Sequence, residues 1–395
     1  MKRTKMQKGI TLIALIITII ILLILAVVTI GSIKDSNIIT YAQKASTEYE
    51  AKKDEEESII FEYEDFIGVN IQATTIEEAQ LEDMFNKKVN SVVKDIYNNK
   101  IVIPAGFKIL VDQTTVYTSD NIDVTKGIVI QDKEGNEFVW IPVGENITNA
   151  TKKTTIKLSR YLFDKTTGKE IDIGENFRDG YEKELATSTY GNATAKNLPG
   201  FLDSVARNNG YYIARHEAGV TGYDPSKTDT SYNNSGTGYI AEEGKELKLV
   251  SKINQQVWNY IKQNKASEVC RNMYDENRNF TSDLVNSYAW DTALVFIQTF
   301  GTEIDASTYS IKAASTKKDT NRDKYCNIYN MSENYFEWTT ETFVSSSNPG
   351  VFRGGGYHTR YYCCGDKRTA SCCGAYNTNF SSVYDSFRPI IYIGN

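Results

Sequence analysis

The chain has 395 residues, length enough for roughly two or three domains. Its 41% hydrophobic and 24% charged content is that of a folded protein and excludes a largely disordered one. A net charge of −6 excludes a global basic field, so no nucleic-acid partner is expected. Tyrosine stands out, with 26 copies against 2 histidines. Its rings give broad contact area with a polar tip, either in strand-rich packing or on an extracellular binding face.

Lys2, Arg3, Lys5 and Lys8 precede Gly9. Ile10 to Ile33 is then apolar apart from Thr11, Thr18, Thr29, Gly31 and Ser32. No charge interrupts the run, and it is long enough for a hydrocarbon core, which needs about 20 residues. The basic flank belongs in the cytoplasm, which puts the C-terminal bulk outside. A cleaved secretory signal fits poorly, because the run exceeds an ordinary h-region and no small-x-small site ends it. The local run Lys8-Gly9-Ile10-Thr11-Leu12-Ile13 resembles the leader of type IV prepilins, in which a peptidase cuts after the Gly. The resemblance implies cleavage between Gly9 and Ile10, with prepilin peptidase and pilin subunits as partners. Prepilins carry Glu at the fifth mature position, where this chain has Ala14. That departure points away from a major polymerising subunit and toward a minor pilin, a tip subunit or a plain anchor.

From Lys34 to Phe66 the chain turns polar, with Ile59, Ile60, Tyr63, Phe66 and Ile67 at spacings near 3 and 4. One long helix from Ile10 to about Asp65 is expected, its outer half a stalk. A second helix is expected over Thr75 to Asn98, with Val89, Val92, Val93 and Ile96 on its inner face. Ile101 to Phe107 reads as a strand. Gly127 to Asp132 and Glu137 to Val143 read as a hairpin about the turn Lys133-Glu134-Gly135-Asn136. Asn146 to Gly210 is polar and promises little core. Gly210 to Ala218 reads as a strand and Gly219 to Gly238 as a loop. Helices are expected over Asn254 to Met273 and Asp283 to Phe300, with Ser282 or Asp283 as the cap of the second. Beyond Phe300, loops and short strands are expected.

Six runs occur in order in the C-terminal part: Phe138-Val139-Trp140-Ile141-Pro142, Tyr211 to Glu217, Trp258 to Cys270, Asn334-Tyr335-Phe336-Glu337-Trp338-Thr339, Arg353-Gly354-Gly355-Gly356-Tyr357 and Phe387-Arg388. Together they resemble the sulfatase-modifying-factor, or formylglycine-generating-enzyme, family over about residues 136 to 393. The resemblance implies an α+β chain: a long N-terminal pilin-like helix followed by an irregular, C-type-lectin-like globular domain. The domains would be a leader over 1–9, a transmembrane and stalk helix over 10–66, a connector with the first strands over 67–135, and the head over 136–395.

The resemblance also implies a calcium site, with side-chain oxygens from Asn330 and Glu337 and backbone carbonyls from Glu333 and Tyr335. Hard oxygens suit Ca²⁺ on general grounds; the rival is a turn in which Glu337 pairs with an arginine. In catalytic members a Ser and then two Cys follow the Arg-Gly-Gly run, and the two Cys hold copper. The equivalent positions here are Gly356, Thr359 and Cys364. One thiolate does not hold Cu(I), so copper is not expected. Cys363, Cys364, Cys372 and Cys373 leave three readings open: cross-strand disulfides outside the cell, thiols, or a metal site. Cys270 and Cys326 either pair or stay as buried thiols. His216 reads as a structural histidine, and no nucleophile–base set is identifiable.

The expected protein is membrane-anchored or pilus-associated, its head outside the cell and used to bind a protein or glycan rather than to catalyse. The alternatives are a copper-dependent formylglycine-generating oxidase and a structural minor pilin.

Overall fold

The structure, a computed structural model, describes residues 87–110, 122–182, 197–228, 236–274, 279–315, 323–344, 349–357, 369–377 and 381–394. Leader cleavage at Gly9 and Ile10, the helix over 10–66, and Thr359, Cys363 and Cys364 lie outside them.

Two sheets position the rest. In chain order their strands are β1 (Phe107–Leu110), β2 (Val129–Asp132), β3 (Glu137–Pro142), β4 (Tyr181–Glu182), β5 (Gly210–Ala214), β6 (Phe280–Leu284), β7 (Phe336–Phe343), β8 (Gly350–Arg353), β9 (Cys373–Tyr376), β10 (Asp385–Phe387) and β11 (Pro389–Ile393). The first sheet is antiparallel throughout, in the order β6-β11-β5-β3-β2-β1. The second runs β4-β7-β8-β9, and β10 joins β7 in parallel.

The β2–β3 hairpin forms as expected. The Asp132 carboxylate accepts from the Glu134 and Asn136 backbone N–H groups, and Gly135 takes φ +85°, which a side chain would resist. β5 forms over the first five residues of the strand expected from Gly210 to Ala218; it is buried along its whole length, pairing with β3 on one side and β11 on the other, and the chain bends away after Ala214. Helices α1 (Leu198–Asn208) and α3 (Ser287–Phe300) cover this sheet. Phe201 of α1 packs edge-on against Tyr211 and Tyr392, and the Tyr211 hydroxyl donates to the Ala289 carbonyl of α3 at 2.6 Å. Burying each such ring is worth roughly 1.5–3 kcal/mol. A second apolar cluster gathers Trp258, Ile261, Phe336, Trp338, Phe352 and Phe387 around the other sheet.

The α+β expectation is corrected: the described residues are mostly β-strand, and the longest helix, α3, has 14 residues. None of their helices is long and apolar enough to cross a membrane. Where the helix over Thr75–Asn98 falls on described residues, Ser91–Lys94 is instead a strand paired with Lys100–Ile103. Val89 and Val92, expected inside, are 66% and 61% exposed. β-Branched residues suit a strand, and Asn98 turns the chain at φ 66°.

The helix over Asn254–Met273 shrinks to α2 (Gln263–Arg271). Asn254 and Tyr260 are left-handed, and the backbone between them pairs with residues 218–220 instead. α3 starts at Ser287, capped by Asn286, whose side chain accepts from the Ala289 N–H; Ser282 and Asp283 lie in β6. The polar stretch before Gly210 holds core after all, including Ile156, Phe201 and Val205, with Asn197 capping α1. Short strands at Gly219–Thr221 and Tyr223–Thr228 replace part of the expected loop.

Candidate functional site: a buried charge centre beside a tyrosine ridge

The turn that leads into β7 is set by two asparagines, Asn330 at φ 62° and Asn334 at φ 70°. Asparagine tolerates the left-handed region better than most side chains. Ser332 fixes the middle of the turn, donating from its backbone N–H and its hydroxyl to Asp323 at 2.9 and 3.0 Å. The turn delivers Glu337 to a position where it is fully buried opposite Arg388. Arg388 donates to both Glu337 oxygens, Nε at 2.9 Å and Nη2 at 2.6 Å. The same guanidinium donates to the carbonyls of Ala214 and Tyr329 at 2.9 and 2.7 Å, so one side chain ties the two sheets together. Such bidentate, charge-assisted pairs are the strongest and most directional of side-chain hydrogen bonds.

A second carboxylate, Glu217, lies behind this pair. It accepts from Asn330 Nδ2 at 3.3 Å, from the Tyr335 backbone N–H at 3.0 Å and from Asn334 Nδ2. Burial, and then the Glu337 carboxylate nearby, push its pKa up to about 8. Two buried acids lie near one arginine; burial raises the Glu337 pKa too, against the pull of Arg388 on both its oxygens, and Glu217, without that contact, is the acid that takes the proton. Glu217 also lines a small cleft with His216, Lys252 and Asn330. His216 stacks on Tyr329 at 4.6 Å, and its Nε2 lies 3.4 Å from Glu137. Burial holds its pKa below the ordinary histidine value.

The four expected calcium ligands are therefore placed as follows. Asn330 turns its amide to Glu217, and the Glu333 carbonyl, the atom expected to ligate, accepts from the Tyr335 N–H at 3.0 Å. The same N–H also donates to Glu217, and both Glu337 oxygens are held by Arg388. A calcium ion at these positions has to compete with Arg388 for its principal carboxylate. Among the described residues, no group of three or more His, Cys, Asp or Glu side chains is placed to hold a metal.

Arg353 of the Arg-Gly-Gly run is fully buried as well. It is bidentate on Glu341, and its Nη1 lies 3.4 Å from Asp291, which also accepts twice from Arg178 at 3.0 Å. Burial opposes ionisation of Glu341, but the Arg353 and Arg178 guanidiniums outweigh it and hold its pKa low. Three residues on, Gly356 lies flat against the Phe336 ring. A Cβ there would stand 2.5 Å from Phe336 Cε2, so a side chain at this position, expected to match a serine, requires that ring to shift. Cys373 on β9 sits opposite Arg353, and Cys372 is buried. Cys270 and Cys326 are separate buried thiols in different apolar clusters.

Beside the charge centre runs a ridge of tyrosines. Tyr335 meets Tyr357 edge-on at 5.6 Å, and Tyr357 meets Tyr384 at 5.4 Å. Tyr357 and Tyr384 are only half-buried. Glu217, Asp291, Glu341 and Asp385 were not singled out from the sequence. Only Glu217, inside the Arg215-His216-Glu217 run, had a signal that could have marked it.

No family model matches the chain, and no curated protein does. Among solved structures, one described as "Crystal Structure of CarF" aligns over 55% of this chain and 97% of its own length, at 12% identity and a TM-score of 0.28. A likeness that low carries no argument about fold or function.

Proposed function

We propose that the described residues form a non-catalytic binding head, displayed outside the cell by a protein anchored through its N-terminal apolar run. The observation that carries this reading is the half-buried ridge of Tyr357 and Tyr384, held in the turns beside strands whose Glu337 and Glu341 charges are paired with arginines. Tyrosine supplies rigid contact area at low entropic cost, which suits recognition. The uncharged run from Ile10 to Ile33 and its basic flank support the anchor, and the prepilin-like leader supports assembly at the surface.

The formylglycine-type oxidase reading is weakened at two positions. A side chain at Gly356 requires the Phe336 ring to shift, and Arg353 is consumed by Glu341 and Asp291. The test is a screen of the full-length protein, in detergent, on glycan and protein arrays, paired with oxygen uptake on a cysteine peptide with added copper. Capture without oxygen uptake supports a binding head. Turnover, or no capture on any array, overturns it.

A further inference from the structure

The Asp385 side chain on β10 is fully buried, and neither of its carboxylate oxygens has a hydrogen-bond partner among the described residues. The parallel register sets Asp385 beside Phe336, with Phe387 beside Trp338. Alternation along the strands sends Glu337 and Ser386 to the opposite face, and Arg388 with them. The arginine that satisfies Glu337 therefore does not serve Asp385. An ionised carboxylate left in this position costs several kcal/mol. Burial drives its pKa far above the ordinary carboxylate range, so the protein alone holds it protonated.

Next to this acid stands the exposed end of the tyrosine ridge. Burial, then the phenols of Tyr384 and Tyr260, then the Asp385 carboxylate push the Tyr357 pKa up to about 12. Three half-buried phenols and one unmatched acid thus lie within electrostatic reach of one another. Aromatic faces attract a cation through their quadrupole, and the acid beside them, on giving up its proton to water as the cation enters, supplies the counter-charge. A hydrated sugar would satisfy the phenols but leave the acid without a partner. An organic cation answers both.

We propose that Tyr260, Tyr357 and Tyr384 form an aromatic site, with Asp385 as its anionic floor, for an organic ammonium group such as a quaternary amine or a lysine side chain of an extracellular ligand. The proposal rests on the binding-head reading and names the ligand chemistry of that head. Asp385 has no exposed surface, so entry requires a side chain beside it to turn outward.

The test titrates full-length protein in detergent with choline and with its neutral isostere 3,3-dimethylbutan-1-ol. Choline is expected to bind at least ten-fold more tightly than the isostere. Asp385→Asn is expected to cut choline affinity at least ten-fold and leave the isostere unchanged. Tyr357→Phe keeps the ring and is expected to keep most of the affinity, whereas Tyr384→Leu loses it. Should Asp385→Asn fail to fold, Tyr384→Leu carries the same comparison. Equal binding of choline and isostere, no binding of either, or a wild-type affinity in both variants overturns the ammonium site. Array capture of an uncharged ligand that is insensitive to Asp385→Asn would leave the binding head standing without it. Absence of both capture and choline binding removes both.

Discussion

Glu337 and Asp385 face neighbouring strands of one sheet, and neither has any exposed surface. Their surroundings nevertheless differ completely. Glu337 has both oxygens filled by Arg388, which in turn reaches the first sheet through the Ala214 carbonyl. Asp385 lies on the opposite strand face with no donor at all among the described residues. A saturated pair is a structural tie whose energy is spent within the fold. An unmatched acid beside half-buried rings keeps its proton in the protein alone, and on the proposal above gives it up only as a cation enters from outside the chain. The Arg353–Glu341–Asp291 centre belongs with Glu337 in this respect.

The largest effect is expected at the tie. Arg388→Met leaves Glu337 buried without its partner and should lower unfolding free energy by about 3–5 kcal/mol, read from urea denaturation. A loss under about 1 kcal/mol would mean that the pair does not hold the sheets together. Next comes Gly356→Ser, which drives a Cβ into Phe336. Overpacking of this kind should cost about 1–3 kcal/mol and confer no oxygen uptake on a cysteine peptide. A stable, oxygen-consuming Gly356→Ser protein would reopen the oxidase reading.

At Glu217 the effect should appear as a pH slope rather than as a loss at one pH. Below the ordinary value of 4.5 both folded and unfolded chains hold its proton; between there and about 8 only the folded chain does. Stability therefore falls as pH rises through that window, at up to about 1.4 kcal/mol per pH unit. Glu217→Gln lacks that contribution, so its profile should be flatter than wild type. The slope from Asp385 is common to both proteins and cancels in the difference. Identical profiles would show that Glu217 is ionised in the fold.

How much of this could be read from the chain depends on how local each cause is. The β2–β3 hairpin was legible because its turn chemistry, Asp132 to Asn136, lies within five consecutive residues. α3 was legible because its apolar residues continue for the whole element. The stretch before α2 was not. Val257, Trp258 and Ile261 have spacings that suit a helix, but Trp258 and Ile261 fill the second core from an irregular backbone paired with residues 218–220. Glu337 was marked by residue type as a metal ligand, yet its partner Arg388 is 51 positions away. Sequence spacing does not show which of two acids, Glu337 or Asp385, meets that arginine. Only the parallel register of β10 on β7 decides it. The glycine at 356 was visible directly, whereas the Phe336 ring packed against it was not.

The account stands or falls on the contrast between the two buried acids, and one urea-unfolding comparison of Glu337→Gln with Asp385→Asn tests it. Glu337→Gln strips Arg388 of its counter-charge and is expected to lose about 3–5 kcal/mol. Asp385→Asn replaces an already protonated carboxyl by a neutral amide of the same shape and is expected to change stability by less than about 1 kcal/mol. Equal losses in the two variants would make both acids structural and contradict the assignment of Asp385 to a ligand.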